Sequence, residues 1–288
     1  MEEKKWDKIF PLDWEENFIE LKTGIKLCYL KMGPENGKKL ILIHGATDSR
    51  LTFVNLAPYL SQKGFNLYII ELRGHGKTSK PIPLNKSYNL TDYTDDIKDF
   101  ILKLNLEKFS IGGHSLGSFV AARIANDFPK KVENLILLGS ALDGSKSKGL
   151  DIYFKGFNDF KGIHGYEKEK IFPDSFLKPW CQCDSEILSE AIYLQCKELG
   201  HDVICYIFDG LKTLDNTNYV NNITARVYII WGENDVVFLK NEQEKLKNNL
   251  VNSKEVKLEI LKDCPHNMCV NKKFSDNVCE LIYNFISN

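Results

Sequence analysis

The chain has 288 residues, 43% hydrophobic and 27% charged, with a formal net charge of −1, which is the balance of an ordinary globular protein with one large core or a core carrying an insertion. The near-zero charge excludes the electrostatic footprint of a nucleic-acid binder or a polybasic membrane contact. No stretch approaches the ~20 apolar residues of a membrane span, and the lysine-rich start MEEKKW leads into no apolar h-region, so the chain is read as cytoplasmic.

Residues 18–33, FIELKTGIKLCYLKMG, alternate in polarity on either side of Thr23-Gly24 and predict two strands joined by a turn. Residues 38–45, KKLILIHG, form a short apolar run ending in glycine, the pattern of a strand buried on both faces of a parallel sheet. Residues 65–74, 108–113, 132–140, 225–232 and 255–261 repeat it. Helical periodicity falls between these runs, over 53–63, 116–128 (stopped by Pro129), 238–250 and 274–286. A further helix is expected to start at a capping Thr91, with Asp92, Asp95 and Asp96 near its positive end and Tyr93, Ile97, Phe100, Ile101 and Leu104 on its apolar face. Strands alternating with helices imply a parallel α/β sheet.

The alternation fails between 141 and 221. Residues 184–199, from a capping Asp184 to just before Gly200, predict one helix. Residues 201–214, with Val203, Ile204, Ile207, Leu211 and Leu214 on one side, predict another. A helical insertion at the carboxyl end of a strand lies over the ligand edge of such a sheet and is expected to cover substrate. Its aromatics Tyr153, Phe154, Phe157, Phe160, Phe172, Phe176 and Trp180 are candidates for an apolar acyl pocket, or for plain packing.

The chemistry centres on GHSLG (113–117), a G-x-S-x-G between a predicted strand and a predicted helix. A sharp strand-to-helix turn lifts Ser115 above the sheet, and Gly113 and Gly117 leave room for it. The helix N-terminus beneath offers N–H groups and positive potential where an oxyanion forms. The Leu116 amide is the first donor expected, and the Ala46 amide of HGATDS (44–49), after the first buried strand, is the second.

A serine nucleophile needs a base, and the base an orienting acid, in the chain order serine, acid, histidine. Of the six histidines, His44, His75 and His114 precede Ser115, and His164 and His201 lie in the insertion. His266 of KDCPHN follows the last predicted strand and is the candidate base. For the acid, Asp235 of WGENDVV follows the strand 225–232 on the same sheet edge; Glu233, two residues earlier, and Asp143, after the strand ending near Ser140, are alternatives. His44 is expected to pack structurally, and Arg73 and His75 of RGHGKTS (73–79) to be scaffold or rim, since this loop lacks the P-loop arrangement.

The eight cysteines, Cys28, Cys181, Cys183, Cys196, Cys205, Cys264, Cys269 and Cys279, are read as reduced and mostly buried thiols. Cys181, Cys183, Cys196, His201 and Cys205 invite a zinc reading, but the spacing matches no standard zinc pattern, so no metal is expected.

HGATDS, ELRGHGKTS, GGHSLGS, WGEND and CPHN stand in the order seen in the α/β-hydrolase superfamily, which the chain resembles over about 20–140 and 222–288. The resemblance implies an α/β-hydrolase fold: a mostly parallel eight-stranded sheet flanked by helices, with a helical cap after strand six and no cofactor. The core would be 1–140 and 222–288 and the cap 141–221. It carries over Ser115 as nucleophile, Asp235 as acid, His266 as base, and the Ala46 and Leu116 amides as oxyanion hole. Glu71 stands where the pattern has aspartate, and Ser118 where many relatives have glycine. A serine at the nucleophile position argues against the dehalogenase and epoxide-hydrolase branches, whose nucleophile is aspartate.

The function expected is hydrolysis of a small carboxylic ester, lactone or thioester through an acyl-enzyme, with a small acyl compound as the partner. Carbon–carbon hydrolysis of a vinylogous diketone, cofactor-free peroxidation of a carboxylic acid, and a non-catalytic small-molecule receptor on the same fold are the alternatives.

Overall fold

The structure, a computed structural model, describes residues 14–81, 88–151, 154–155 and 177–288. Eight strands, β1 (Glu15–Glu20), β2 (Lys26–Met32), β3 (Lys38–Ile43), β4 (Phe65–Ile70), β5 (Phe109–His114), β6 (Val132–Leu138), β7 (Arg226–Gly232) and β8 (Glu255–Leu261), form one sheet in the order β1-β2-β4-β3-β5-β6-β7-β8. β1 and β2 are antiparallel to each other and β2 is antiparallel to β4; all other pairs are parallel. The hairpin expected at Thr23-Gly24 is present, with Gly24 at φ +81°.

The α-helices are α1 (Leu56–Gln62), α2 (Leu90–Lys103), α3 (Leu116–Asp127), α4 (Glu186–Glu198), α5 (His201–Leu211), α6 (Lys240–Asn249) and α7 (Lys272–Ser287). Strand alternation sorts the apolar side chains onto the two faces: Ile41 and Ile43 of β3 join the core under α2, α3 and α6, while Leu40 and Leu42 join the core under α1 and α7. Full burial of β4 and β5 follows from helices on both faces. The run 255–261, expected to be equally buried, is the sheet edge. With β7 as its one neighbour and Lys and Glu interleaved, only Leu261 is buried.

Two helix starts differ from expectation. α2 is capped by Asn89 rather than Thr91. The Asn89 side chain accepts the Asp92 N–H at 3.0 Å and the Asp92 carboxylate accepts the Asn89 N–H at 3.1 Å, a reciprocal box that fixes the first turn two residues earlier. α4 is capped by Ser185, whose hydroxyl accepts the Leu188 N–H, rather than by Asp184. Asp96 does not serve the helix dipole: it is buried and takes Arg73 in a bidentate pair, Nε–Oδ2 and Nη2–Oδ1 both 2.7 Å.

The chain runs from β3 to β4 on one side and reaches β5 on the other, so β3 flanks the topological switch point where open α/β sheets bind ligands. Leu42 and Ile43 lie beside Gly112 and Gly113, which sets the loop after β3 against the turn after β5. Between β6 and β7 the described residues form helices α4 and α5 and no strand, and Gly200 at φ +78° joins the two helices. Tyr153, Phe157, Phe160, His164, Phe172, Phe176 and the side chain of Trp180 lie outside the described residues; Phe154 packs against the core, with Lys212 over its ring.

Candidate active site

The turn from β5 into α3 carries Ser115 at φ +51°, ψ −121°, a conformation that costs an L-residue on the order of 1–3 kcal/mol and persists only where its surroundings enforce it. The surroundings are visible. The Ser115 N–H donates to Leu138 O at 3.0 Å, and its carbonyl accepts from the Ser118 N–H at 2.9 Å and from Ser118 Oγ at 2.5 Å. Ser118 Oγ also lies 2.8 Å from Ser140 Oγ. Ser118, the departure from the family pattern, thus ties the turn to the end of β6. The flanking glycines are required by close approach: a Cβ on Gly113 would meet Gly117 O at 2.1 Å, and one on Gly117 would meet Ile43 O at 2.2 Å.

His266 follows β8 and Asp235 follows β7. The imidazole Nδ1 lies 2.7 Å from Asp235 Oδ2, so Nδ1–H donates to the carboxylate and Nε2 is left as the basic nitrogen. Asp235 is buried, and its other oxygen accepts the N–H groups of Val237 at 2.7 Å and Phe238 at 3.0 Å. Of the three candidate acids, the structure brings Asp235 to His266. Glu233 points outward and accepts the Asp263 N–H, and Asp143 binds Ser145 and Lys146. Gly139, at φ +53° after β6, makes room for the pair: a Cβ there would sit 3.0 Å from His266 Nδ1 and 3.4 Å from Asp235 Oδ2.

Ser115 and His266 line one pocket together with Gly45, Ala46, Thr47 and Asp48 of the loop after β3. Most of its wall is apolar. Ile192 of α4 and Phe208 and Leu211 of α5 line it, so the segment between β6 and β7 forms part of the pocket, as do Val237 and Phe238. Leu116, the other predicted donor, is the first residue of α3, where backbone N–H groups point out of the helix.

Two buried histidines shape the Ala46 loop. His44 Nδ1 lies 2.7 Å from Gly45 O and its Nε2 accepts the Leu72 N–H at 3.1 Å. His75 Nδ1 lies 2.9 Å from Arg73 O and its Nε2 accepts the Thr47 N–H at 3.2 Å. Both rings must be neutral to accept, and burial lowers both, His75 to about 4 and His44 well below its ordinary value. His44 therefore has the structural place expected of it, and His75 and Arg73 are buried scaffold. Sequence reasoning missed what His75 holds, because its partner lies 28 residues away.

It also set aside His114, which the structure puts behind the site. Its ring lies 4.8 Å from that of His266, its Nε2–H donates to His266 O at 3.0 Å, and burial lowers its pKa to about 3. All eight cysteines are free thiols and seven are buried. Among the described residues no group of three His, Cys, Asp or Glu side chains is placed to hold a metal ion.

Comparison with known proteins agrees with this fold. The family model of the α/β-hydrolase fold matches residues 38–162. A serine hydrolase-like protein of Dictyostelium discoideum is 26% identical over 271 residues, covering 86% of this chain and 74% of that protein. An uncharacterized protein of Mycobacterium tuberculosis is 33% identical over 226 residues, 70% of this chain and 63% of that protein, so the chain spans less than two thirds of this relative. Epoxide hydrolases of Caenorhabditis elegans are also among the relatives, at 26% identity over shorter stretches. The structure of an esterase from Exiguobacterium antarcticum superposes with a TM-score of 0.80 at 20% identity, over 95% of this chain and all of that one. The chain has the α/β-hydrolase fold. No helix among the described residues is long and apolar enough to cross a membrane.

Proposed function

We propose that the protein is a serine hydrolase that cleaves a small carboxylic ester, lactone or thioester through an acyl-enzyme. The observation that carries this reading is the 2.7 Å contact of a buried Asp235 with His266, which lines one pocket with Ser115. Ser115 Oγ attacks the carbonyl while His266 Nε2 takes its proton, and Asp235 holds the tautomer and stabilises the imidazolium. The amides of Ala46 and Leu116 receive the oxyanion, each worth roughly 3 kcal/mol in the transition state. His266 returns the proton to the leaving group and then activates water on the acyl-enzyme. No step calls for a metal or cofactor.

We take 1–140 and 222–288 as the catalytic core and 141–221 as a cap over the pocket. The isolated bridge between Asp143 and Asp215, near the two ends of that segment, supports treating it as one unit. The eight free thiols support a reducing, cytoplasmic setting.

Epoxide opening is disfavoured by chemistry at position 115. A carboxylate that opens an epoxide leaves an ester, which water can attack at its carbonyl. A serine hydroxyl would leave an ether, which has none.

Ser115→Ala tests the assignment. Turnover of p-nitrophenyl acyl esters should fall by about 10⁴-fold or more with circular dichroism unchanged. Unchanged turnover in the variant, or diol formation from an aryl epoxide by the wild type at a rate matching its ester turnover, contradicts the reading.

A further inference from the structure

One acidic group in the pocket has no part in the steps above. Asp48 follows Ala46 and Thr47 on the loop after β3 and lines the same pocket as Ser115 and His266. Its carboxylate accepts the Ser49 N–H at 2.8 Å and the Thr52 hydroxyl, both from the 3-10 turn Arg50–Phe53 and its cap. The titratable groups facing it are His266 after β8, Cys181 at the end of the 3-10 turn Lys178–Cys181, and Cys269 ahead of α7. Among the described residues of the pocket wall, Asp48 is the sole carboxyl, and none is lysine or arginine.

That arrangement is electrostatically one-sided. The carboxyl shares a pocket with Leu150, Ile192, Phe208, Leu211 and other apolar side chains, and no lysine or arginine among the described residues of that wall stands to neutralise it. Burial pushes its pKa up to about 6, against the pull of its two hydrogen bonds and of His266. The local turn does not require the charge: in an asparagine Oδ1 accepts the Ser49 N–H and the side-chain amide donates to the Thr52 hydroxyl, which turns from donor to acceptor. A charge kept in an apolar pocket at the expense of stability, where a neutral isostere serves the fold, points to a role toward ligand.

Resting on the serine-hydrolase reading, we propose that Asp48 makes the pocket charge-selective: it admits esters whose acyl and alcohol parts are neutral or carry an ammonium group, and it rejects those bearing a carboxylate. Like charges a few ångströms apart in a pocket from which substrate displaces water repel strongly enough for tenfold to hundredfold discrimination, and a cation gains from the same field.

The test uses three matched phosphonofluoridates ending in a methyl, a carboxylate and a trimethylammonium group. Each forms a Ser115 Oγ–P bond as the P–F bond breaks, with the hydroxyl proton passing to His266 and fluoride leaving. Modification is followed by intact mass, and the site is mapped to Ser115. At pH 8 the wild type should react at least tenfold more slowly with the carboxylate probe than with the methyl probe, and no more slowly with the ammonium probe than with the methyl one. Asp48→Asn should shrink the methyl-to-carboxylate ratio at least fivefold. The same ratio in the wild type should relax as pH falls through about 6, where Asp48 takes up its proton; dividing the two rates removes any protonation that both probes share. A ratio unmoved in Asp48→Asn overturns the proposal. If that variant does not fold, a wild-type ratio constant from pH 8 to pH 5 overturns it equally. Failure of all three probes to modify Ser115 overturns the hydrolase reading instead, and this inference with it.

Discussion

Gly139 shows how tightly single residues are set around the candidate base. It takes a left-handed conformation at φ +53°, and a Cβ there would stand 3.0 Å from His266 Nδ1. In Gly139→Ala the imidazole has to give way by a few tenths of an ångström, and the backbone strain adds about 1 kcal/mol. We predict at least a tenfold loss of kcat with a modest fall in Tm, since misplacement of a reacting group is felt more in rate than in stability. Equal loss of kcat in a variant of comparable Tm far from the site would remove the positional explanation. Ser115 was legible because its role is written locally, in glycines that a strand-to-helix turn requires. His266 was legible because five other histidines fell in the wrong places along the chain. What His75 and His114 hold was not, since their partners lie 28 and 152 residues away, and Asp48 sits in a sequence context that reads as ordinary loop.

At the scale of elements, the β3, β4, β5, β6 and β7 runs were legible from continuous apolar sequence alone. β8 misled because a run of seven residues does not reveal whether one neighbour strand or two will flank it. The start of α2 misled because Asn89 and Thr91 are both good caps, and the choice fell to the Asp92 carboxylate reaching back to Asn89. What anchors α2 was invisible to periodicity. Asp96 pairs with Arg73 and receives the Thr23 hydroxyl, and Asp99 receives the Lys22 N–H, so one helix turn grips both the loop after β4 and the β1–β2 hairpin. Asp96→Ala would leave the buried Arg73 guanidinium without its bidentate partner. We predict a loss of about 3–5 kcal/mol in urea unfolding with an unchanged m-value. A loss under about 1 kcal/mol would mean that Asp92, whose carboxylate lies 3.9 Å from Arg73, takes over the pairing.

Across the whole molecule, buried ionisable groups near the pocket set an acid limit. His44, His75 and His114 are held neutral in the fold, with pKa values pushed below the ordinary histidine value by burial first, to about 4 for His75 and about 3 for His114. Between about pH 6.5 and pH 4 the unfolded chain binds protons that the fold refuses, so stability falls as pH falls through that window. Asp48 acts in the opposite sense. Its pKa is raised from 3.8 to about 6, so the stability it contributes is present at low pH and is lost as pH rises through that interval. We therefore predict that Tm drops from pH 7 to pH 4.5, and that Asp48→Asn raises Tm at pH 7.5 while leaving it nearly unchanged near pH 4. A Tm flat over that range would mean these histidines are open to water.

The central claim is that Asp235 acts on Ser115 only through His266. It is tested most directly by the rate of Ser115 modification by a neutral phosphonofluoridate in the wild type, His266→Ala, Asp235→Asn and the double variant. The account predicts that each single change slows the reaction by 10³-fold or more and that the double variant is no slower than His266→Ala alone. Losses that multiply, or a His266→Ala protein that reacts at the wild-type rate, would contradict it.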